Sequence, residues 1–389
     1  MIRILTCGLA ALLAACAQAP RVSIEAAAAP PAIERPFGTF RDAALAFDSD
    51  AAQRLALAPP ERDYARALGL VRDGHLAQAQ AMLVALASGA DQRVAAMARG
   101  LVALVAHGGV PPERGAFTSE VDRSFSEWLY RFTAEERRVV PPLGSVVPFE
   151  RGATATPLVP VKLNGAGTVM GLDTGAHMTV LGSLLADAVG ARRLGSRTVA
   201  KDVHEGTVQA ELALVDLEIG GVRLDGHPVV VVDSSHLRVG VAGVGVAGFD
   251  GLLGWNAIRE LRLEIDNAAR TIRFAPSKAG SGSAGDLLWI GEPHVRARAG
   301  NGFPLTLFLD TGASRTTLVF GAAGSRRLEA TAYREAVLFA GGMRLRFSEL
   351  QALASRTSAF SVRDGVLGAD ALTEGIVTID FPAREFSIR

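Results

Sequence analysis

Hydrophobic and polar residues follow two different periods along this chain. Between residues 67 and 86, apolar residues recur three or four positions apart, which is the spacing of one face of a helix. The pattern breaks at Asp73-Gly74, a pair that favours a turn. Residues 159–163 read Val-Pro-Val-Lys-Leu, and this alternation is typical of a half-buried strand. The chain is therefore predicted to begin with helices and to continue as β structure.

The β part contains an internal repeat. Residues 171–176 read Gly-Leu-Asp-Thr-Gly-Ala, and residues 308–313 read Phe-Leu-Asp-Thr-Gly-Ala. An Asn-Gly pair begins nine residues before the Asp of each copy. Further on, residues 250–254 read Asp-Gly-Leu-Leu-Gly, and residues 364–368 read Asp-Gly-Val-Leu-Gly. Because these elements recur in the same order, we infer that one small β domain is duplicated.

Each copy is predicted to present one carboxylate, Asp173 in the first and Asp310 in the second. An Asn-Gly pair between alternating segments predicts a tight hairpin, whose second strand runs directly into the Asp. Asp and Gly are poor strand formers, so Asp-Thr-Gly is expected to be the turn at which that strand ends. If the two copies pack about a pseudo-two-fold axis, the two turns meet.

Two carboxylates that meet can perform acid–base chemistry. At about 3 Å apart they cannot both ionise, so they share one proton. The ionised group can then act as a general base toward water, while the protonated group donates to a substrate carbonyl. The other interpretation is that Asp-Thr-Gly serves only as a turn, since Asp and Gly favour turns in any case. Asp250 and Asp364 are interpreted as turn residues of this kind.

The two motifs resemble those of a known family. Residues 172–176 and 309–313 are similar to the active-site loop of aspartic proteases, specifically the retropepsin-like branch. Residues 250–254 and 364–368 resemble the second motif of that family. The resemblance covers about the last 240 residues. It implies a fold that is mainly β in the C-terminal two-thirds, with two tandem retropepsin-like acid-protease β-barrel lobes related by a pseudo-two-fold axis.

The resemblance also implies a function and a site. The implied activity is that of an aspartic endopeptidase, which hydrolyses a peptide or protein substrate bound in an extended conformation. The implied catalytic pair is Asp173 and Asp310. The residues implied to support the two active-site loops are Thr174, Gly175, Thr311 and Gly312. The alternative is a non-catalytic, peptide-binding lipoprotein on the same fold.

Two further features bear on activity. Ala176 and Ala313 stand where pepsin-like enzymes have Ser or Thr, so a hydroxyl that would stabilise the ionised carboxylate is missing. We therefore expect a mildly acidic working range. The candidate substrate-covering flaps are residues 198–209 in the first copy and the turn at Gly341-Gly342 in the second. The sequence leaves open whether one flap, two degenerate flaps or none is present.

The N-terminus predicts export. Residues 1–15 combine a basic start with an apolar stretch that is too short to span a bilayer, as in a signal peptide. Residues 13–16 read Leu-Ala-Ala-Cys and resemble the bacterial lipobox, which implies lipidation of Cys16 and a membrane anchor facing the periplasm. Ala17, rather than Asp, follows the Cys and favours the outer membrane. The alternative is a secreted or periplasmic protein cleaved after Ala19.

Composition narrows the choice of partners. Forty basic and forty acidic residues cancel, so no charge pattern for binding nucleic acid is present. Cys7 is the only other cysteine and lies in the signal segment, which leaves no disulfide in the mature chain. The sequence shows no Cys/His cluster with the spacing of metal ligands, and no cofactor is expected.

The predicted domain organisation has six parts. They are a signal peptide (1–15), a flexible tether (16–37), an α-helical region (38–145), lobe 1 (146–277), a linker (278–285) and lobe 2 (286–389).

The role of the helical region stays open. Residues 74–79 resemble the turn and second helix of one tetratricopeptide repeat. The region is therefore interpreted either as a docking module for a protein partner or as a prodomain or spacer packed on the lobes. A third interpretation makes it the active part, with the lobes as scaffold. Trp128, Leu129 and Tyr130, on a last helix at about 118–138, are expected to pack against the lobes.

Overall fold

The computed structural model covers the full chain and supports a description of most of it. The described residues are 22–31, 37–106, 120–152, 155–201, 207–241, 245–278, 286–289, 293–319, 332–353 and 364–389. The predicted signal peptide, Cys16 and linker residues 279–285 lie outside these ranges.

Helices dominate the first third of the described chain. After a strand β1 (Val22–Ala26) come the helices α1 (Phe40–Leu45), α2 (Ser49–Leu55), α3 (Pro59–Arg72), α4 (Leu76–Ala87), α5 (Gln92–Ala106) and α6 (Glu120–Glu135). Prolines begin α3, where the missing N–H costs nothing. Gly74, with a φ of 78°, separates α3 from α4 at the predicted break.

Helices α1 to α5 form a core of their own. Leu68, Leu83 and Leu101 are fully or almost fully buried there, together with residues of all five helices. Helix α6 instead packs on lobe 1, where Leu129 is buried and Trp128 is half-buried, while Tyr130 is exposed. Within the described residues, no helix is long and apolar enough to cross a membrane.

The remaining elements of lobe 1 follow in order. They are β2 (Arg137–Val139), β3 (Ser145–Pro148), β4 (Glu150–Arg151), β5 (Pro157–Leu163), β6 (Ala166–Leu172), β7 (Thr179–Gly182), α7 (Ser183–Ala188), β8 (Arg192–Lys201), β9 (Thr207–Ile219), β10 (Val222–Val232), a 3-10 helix (Ser234–Leu237), β11 (Arg238–Val241), β12 (Gly245–Gly248), β13 (Gly251–Leu253), α8 (Trp255–Ile258), β14 (Leu261–Asp266) and β15 (Thr271–Pro276).

Lobe 2 repeats this order with fewer elements. Its described elements are β16 (Leu287–Trp289), β17 (Pro293–Ala299), β18 (Pro304–Leu309), β19 (Thr317–Val319), β20 (Ala332–Ala340), β21 (Met343–Leu353), β22 (Gly365–Leu367), a 3-10 helix (Ala369–Leu372), β23 (Ile376–Asp380) and β24 (Glu385–Ile388).

Each lobe contains a closed barrel of six strands. In lobe 1 the strands pair in the order β5-β6-β13-β7-β10-β9, and β9 pairs again with β5. In lobe 2 the order is β17-β18-β22-β19-β21-β20, and β20 pairs with β17. The parallel and antiparallel pairings also correspond, since β13 and β22 each run parallel to the strand that precedes an Asp-Thr-Gly. The predicted fold class is therefore confirmed.

The lobes are joined by a five-stranded sheet. Its order is β24-β23-β14-β15-β3, with lobe 1 supplying β14 and lobe 2 supplying β23 at the junction. These strands are antiparallel, with Leu263 opposite Ile379 and Ile265 opposite Val377. The four side chains are buried in a hydrophobic core that contains residues of both lobes, which we call the main core. The junction is therefore apolar as well as hydrogen-bonded. Antiparallel pairing of equivalent strands is what a pseudo-two-fold axis requires.

The segment predicted to be a flexible tether is partly a strand. β1 pairs antiparallel with β21 of lobe 2, with Val22 opposite Phe347. Val22 and Ile24 pack against the main core, while Glu25 points toward the arginines of the neighbouring strand. The Ala and Pro content of residues 16–37 concealed this short alternation, so the tether prediction is wrong for Val22–Ala26.

The predicted helical region also ends earlier than residue 145. β2 pairs with β10, with Val139 opposite Arg223. β10 and β21 are equivalent strands, so β1 and β2 extend the two barrels at matching places. Residues 137–140 read Arg-Arg-Val-Val, and β-branched valines beside charged residues suit an edge strand better than a helix.

A buried ion pair attaches the end of α6 to lobe 1. The carboxylate of Glu136 contacts His227 Nδ1 and accepts a hydrogen bond of 2.8 Å from Arg138 Nη2. His227 is fully buried, and its Nε2 lies 3.0 Å from Thr179 Oγ1. Burial opposes the ionisation of Glu136, but the charges and hydrogen bonds of His227 and Arg138 outweigh it and lower the pKa of Glu136 to about 2. The chain entering lobe 1 is thus held by charge as well as by packing.

Candidate active site

A hairpin in each lobe carries one Asp to the centre of the molecule. In lobe 1 the turn between β5 and β6 consists of Asn164 and Gly165, with φ values of 48° and 84°, as a two-residue turn of this hand requires. In lobe 2 the turn between β17 and β18 is longer. There Asn301 Oδ1 accepts a hydrogen bond of 3.0 Å from the N–H of Phe303. The N–H of Ala299 still donates to the carbonyl of Phe303 at 2.9 Å, but the N–H of Phe303 is bound by Asn301, so the ladder ends there.

The two Asp-Thr-Gly loops meet and hold each other through their threonines. Thr174 Oγ1 donates to the carbonyl of Leu309 at 2.7 Å and accepts from the N–H of Thr311 at 3.0 Å. Thr311 Oγ1 does the same in reverse, donating to the carbonyl of Leu172 at 2.7 Å and accepting from the N–H of Thr174 at 3.0 Å. Both threonines are buried. The contact is therefore symmetric, and each lobe completes the loop of the other.

The glycines of the two loops lie against the carboxyl groups of the opposite lobe. A Cβ added to Gly175 would lie 2.6 Å from Asp310 Cγ, and a Cβ added to Gly312 would lie 2.6 Å from Asp173 Cγ. Real Cβ atoms do not approach other heavy atoms so closely. Only glycine therefore allows the loops to come together, and the two carboxyl groups are brought into one site.

Backbone donors fix one oxygen of each carboxyl group. Asp173 Oδ1 accepts from the N–H groups of Gly175 and Ala176, at 2.8 and 3.2 Å. In the same way, Asp310 Oδ1 accepts from the two N–H groups that follow it by two and three residues, at 2.9 and 3.0 Å. In both loops the backbone donors therefore hold Oδ1 and not Oδ2.

Burial changes the acidity of both carboxyl groups. Asp173 is 8% exposed and Asp310 is fully buried. Burial raises the pKa of Asp173, against the effect of the backbone N–H donors and the hydrogen bond with Asp310. Burial also raises the pKa of Asp310 well above its ordinary value, and the charge of Asp173 raises it further. The two groups therefore titrate as a pair that retains a proton at higher pH than an exposed Asp does.

The second motif of each copy supports the strand that carries the Asp. The N–H of Asp173 donates to the carbonyl of Leu253 at 3.0 Å, and that of Asp310 donates to the carbonyl of Leu367 at 3.1 Å. A Cβ added to Gly254 would lie 2.1 Å from a backbone carbonyl oxygen of the loop after Asp173. The two duplicated motifs are therefore in direct contact within each lobe. Asp250 and Asp364 lie at the start of this motif, and Asp364 Oδ2 accepts from a backbone N–H.

Two pairs of residues that link the first and second motifs were not found in the sequence analysis. In lobe 1, Thr179 donates from N and Oγ1 to Asn256 Oδ1, at 2.7 and 3.0 Å. In lobe 2, Thr316 donates from N and Oγ1 to Asp370 Oδ1, at 2.8 and 2.6 Å. Each threonine stands six residues after the Asp of the first motif, and each acceptor stands six residues after the Asp of the second motif. A longer comparison of the two copies would have found them.

The candidate flap of lobe 1 belongs to a hairpin. Residues 198–201 end β8 and residues 207–209 begin β9, with Thr198 opposite Ala210. The tip, residues 202–206, lies outside the described residues. Strands β8 and β9 supply apolar side chains to the same cluster as the strands beside Asp173. The described part of the candidate flap is therefore a β-hairpin that packs on this cluster.

The predicted flap at Gly341-Gly342 of lobe 2 is wrong. This turn joins β20 and β21 and corresponds to the turn between β9 and β10 in lobe 1. A Cβ added to Gly341 would lie 2.9 Å from the backbone N of Ile388 in the C-terminal strand. The turn therefore packs on the sheet between the lobes. Residues 320–331, between β19 and β20, lie outside the described residues.

Part of the first lobe is similar to a known family. Residues 159–257 match the family model described as aspartyl protease. This aspartyl protease match runs from β5 to α8 and includes the first Asp-Thr-Gly and the motif that supports it. Lobe 2 repeats the barrel of the aspartyl protease segment strand for strand, and the two together support a protease-like function. No curated protein gives a significant match to the chain.

The structure describes no group of three or more His, Cys, Asp or Glu residues placed to hold a metal ion. That statement applies to the described part of the chain. The groups that the two Asp-Thr-Gly loops bring together are the carboxyl groups of Asp173 and Asp310.

The close approach of the two loops predicts that alanine is tolerated at Gly167 but not at Gly175. Gly175→Ala is expected to lower the free energy of unfolding of the full chain by about 1–3 kcal/mol, because the new methyl group collides with the carboxyl of Asp310. Gly167→Ala is the matched control, since its Cβ would meet nothing within 4 Å. Urea unfolding followed by fluorescence measures both, and equal stability of the two variants would contradict the described contact.

Proposed function

We propose that the protein is an exported, lipid-anchored aspartic endopeptidase whose catalytic pair is Asp173 and Asp310. The observation that carries the proposal is the meeting of two buried carboxyl groups across the junction of two equivalent barrels. The aspartyl protease match of lobe 1 agrees with it. Each carboxyl group comes from a different lobe, so a single chain supplies the whole site.

One shared proton is enough for the reaction. The ionised carboxyl removes a proton from a water molecule, whose oxygen forms a bond to the carbonyl carbon of the substrate amide. The protonated carboxyl donates its proton to the carbonyl oxygen, which gives a neutral tetrahedral intermediate with two hydroxyl groups. One hydroxyl of the intermediate then returns a proton to the carboxyl that is now ionised. The other carboxyl protonates the amide nitrogen, and the C–N bond breaks. The pair ends with one proton, as it began.

The substrate is proposed to be an extended peptide. Strand β8 pairs only with β9 in the described sheet, so its other edge has backbone groups available. An extended peptide could add to that edge by main-chain hydrogen bonds, while its side chains alternate between the two lobes. This mode requires a segment without stable secondary structure, such as a loop or an unfolded chain.

The proposed cellular location is based on the N-terminal sequence. The apolar segment before Cys16 would be removed, and acyl chains on Cys16 would hold the protein at the periplasmic face of a bacterial membrane. Only residues 17–21 then separate the anchor from β1, which is paired with lobe 2. Lobe 2 would therefore lie near the membrane. Because helices α1 to α5 follow β1 in the chain, they would not separate the anchor from lobe 2.

Loss of either Asp should abolish cleavage. With the purified full chain, Asp173→Asn and Asp310→Asn are each expected to reduce cleavage of an unbiased peptide library by about 100-fold or more, because each lacks one proton-transfer group. Asp250→Asn is the control, since Asp250 is exposed. Cleavage that survives in one of the two variants would contradict a shared site. Peptide binding without cleavage by the unmodified chain would instead favour a non-catalytic peptide-binding lipoprotein.

The pH dependence follows from the raised pKa values of the pair. Below the lower apparent pKa both groups are protonated and no base is present, whereas above the upper one both are ionised and no acid is present. Because burial raises the pKa of both groups, kcat/KM is expected to be bell-shaped, with its maximum above the ordinary Asp pKa of about 3.9. A maximum well below that value, measured on a single cleavable peptide, would contradict the account.

Anchoring can be tested with the two cysteines. Cys16→Ser is expected to move the protein from the membrane fraction to the soluble fraction of a bacterial host, because the acyl chains have no attachment site. Cys7→Ser is the matched control, since Cys7 lies in the segment that would be removed. Fractionation and fatty-acid labelling measure both. Fatty-acid label that remains on the Cys16→Ser variant would count against lipidation of Cys16.

A further inference from the structure

A chain of buried polar side chains runs from the residue after α6 to the loop that follows Asp173. The carboxylate of Glu136 contacts His227 Nδ1, and His227 Nε2 lies 3.0 Å from Thr179 Oγ1. Thr179 Oγ1 in turn lies 3.0 Å from Asn256 Oδ1. His227 and Thr179 are fully buried, and Asn256 is 5% exposed. Each of these groups therefore depends on its neighbours for hydrogen bonds.

The backbone fixes the direction of these hydrogen bonds. The N–H of Thr179 donates to Asn256 Oδ1 at 2.7 Å, and Asn256 Nδ2 donates to the carbonyl of Pro228 at 2.8 Å. The Oδ1 atom can only accept, so the hydroxyl of Thr179 has to donate its single proton to it. His227 Nε2 must then donate to that hydroxyl, because the hydroxyl has no second proton to give.

The other nitrogen of the ring is a donor as well. The carboxylate of Glu136 can only accept, so His227 Nδ1 donates to it. The ring therefore carries a proton on both nitrogens in this arrangement, and the negative charge of Glu136 balances it. The other charged groups that act on Glu136 are Arg138, which donates to its carboxylate at 2.8 Å, and the buried Arg259. Without the proton on Nε2, the hydroxyl of Thr179 would turn toward the ring and away from the amide oxygen.

The residues held in this way support the loop that positions Asp173. The N–H of Asn256 donates to the carbonyl of His177 at 3.2 Å, and the N–H of Trp255 donates to the carbonyl of Ala176 at 2.6 Å. The N–H of Ala176 donates in turn to Asp173 Oδ1 at 3.2 Å. A continuous series of hydrogen bonds and peptide groups therefore leads from the histidine ring to the carboxyl group.

Lobe 2 fixes its corresponding threonine in a different way. Thr316 Oγ1 donates to Asp370 Oδ1 at 2.6 Å, which is shorter than the corresponding 3.0 Å in lobe 1. By the strand registers, Ser348 stands in lobe 2 where His227 stands in lobe 1. A carboxylate oxygen is a stronger acceptor than an amide oxygen. The acceptor of lobe 1 is the weaker one, and there the ring supplies the donor that directs the hydroxyl.

We propose that His227 is a positioning residue for Asp173 in the proposed reaction. This inference rests on the proposed function. By donating from Nε2, the ring directs the Thr179 hydroxyl to Asn256. The bond keeps the second motif and the loop after Asp173 together, so that the loop presents its N–H groups to the carboxyl.

Two variants separate the two ends of the ring. In His227→Gln the side-chain amide can reach the place of Nε2 and can donate to Thr179. In His227→Asn the shorter amide reaches only the place of Nδ1 and can donate only to Glu136. The proposed role is kept by glutamine, whereas a role limited to pairing with Glu136 is kept by asparagine.

The first measurement is a carbon-13 NMR titration of the Asp173 carboxyl in the full chain, which does not depend on turnover. Burial raises the pKa of Asp173, and the backbone donors of the loop lower it. Weaker donors are therefore expected to move the Asp173 titration to higher pH in His227→Asn, by about 0.5 or more. The titration in His227→Gln is expected to match that of the unmodified chain. With one cleavable peptide, kcat is expected to fall about tenfold in His227→Asn while KM changes little.

A second pair of variants tests the same hydrogen bond from its other end, and it also serves if a histidine variant fails to fold. Thr179→Val removes the hydroxyl and keeps the shape, so it is expected to move the Asp173 titration as His227→Asn does. Thr179→Ser keeps the hydroxyl and is expected to keep the titration of the unmodified chain.

The outcomes separate this inference from the proposed function. Equal Asp173 titrations in His227→Asn and His227→Gln, or an unchanged titration in Thr179→Val, overturn the inference. A chain that cuts peptide but shows either of these results keeps the proposed function alone. A chain that shows the expected titrations but cuts no peptide retains the link between His227 and Asp173 and loses the proposed function.

Discussion

Four hydrogen bonds between the two Asp-Thr-Gly loops join the lobes at the point where both strands end. Thr174 and Thr311 each donate to a carbonyl of the other lobe and accept from the other threonine's N–H. Hydrogen bonds of this kind contribute about 1 kcal/mol each, but leaving their buried groups unpaired would cost more. The contact places two carboxyl groups side by side and keeps them buried. The raised pKa values of both carboxyl groups and the need for glycine follow from this arrangement, and the proposed shared proton depends on it.

The rest of the molecule is less symmetric than this centre. β1 and β2 extend the two barrels at equivalent strands, yet β1 comes from the N-terminal segment and β2 from the end of the helical region. Helix α6 packs on lobe 1 through Leu129, and the contacts of Glu136 with Arg138 and with the buried His227 hold the end of that helix in place. The helical region is therefore integrated with the β structure, because Leu129 of its last helix is buried among residues of lobe 1.

Much of this arrangement could be predicted because duplication turns single residues into patterns. The Asp-Thr-Gly loops, the second motifs and the helical break at Gly74 all lie where the sequence indicated them. Other features depend on contacts that local patterns do not specify. The glycines at 341 and 342 indicated a turn but not its place, and the turn packs on the C-terminal strand instead of covering the carboxyl groups. In β1 the alternation is only five residues long and stands in a segment whose Ala and Pro content suggests a tether.

The central claim is that Asp173 and Asp310 share one site and one proton. It is tested most directly by a carbon-13 NMR titration of the Asp310 carboxyl group in the full chain and in its Asp173→Asn variant. The charge of Asp173 contributes to the raised pKa of Asp310, so that pKa is expected to fall in the variant while staying above its ordinary value because of burial. An Asp310 pKa that does not change when Asp173 is replaced would show that the two groups do not interact and would contradict the account.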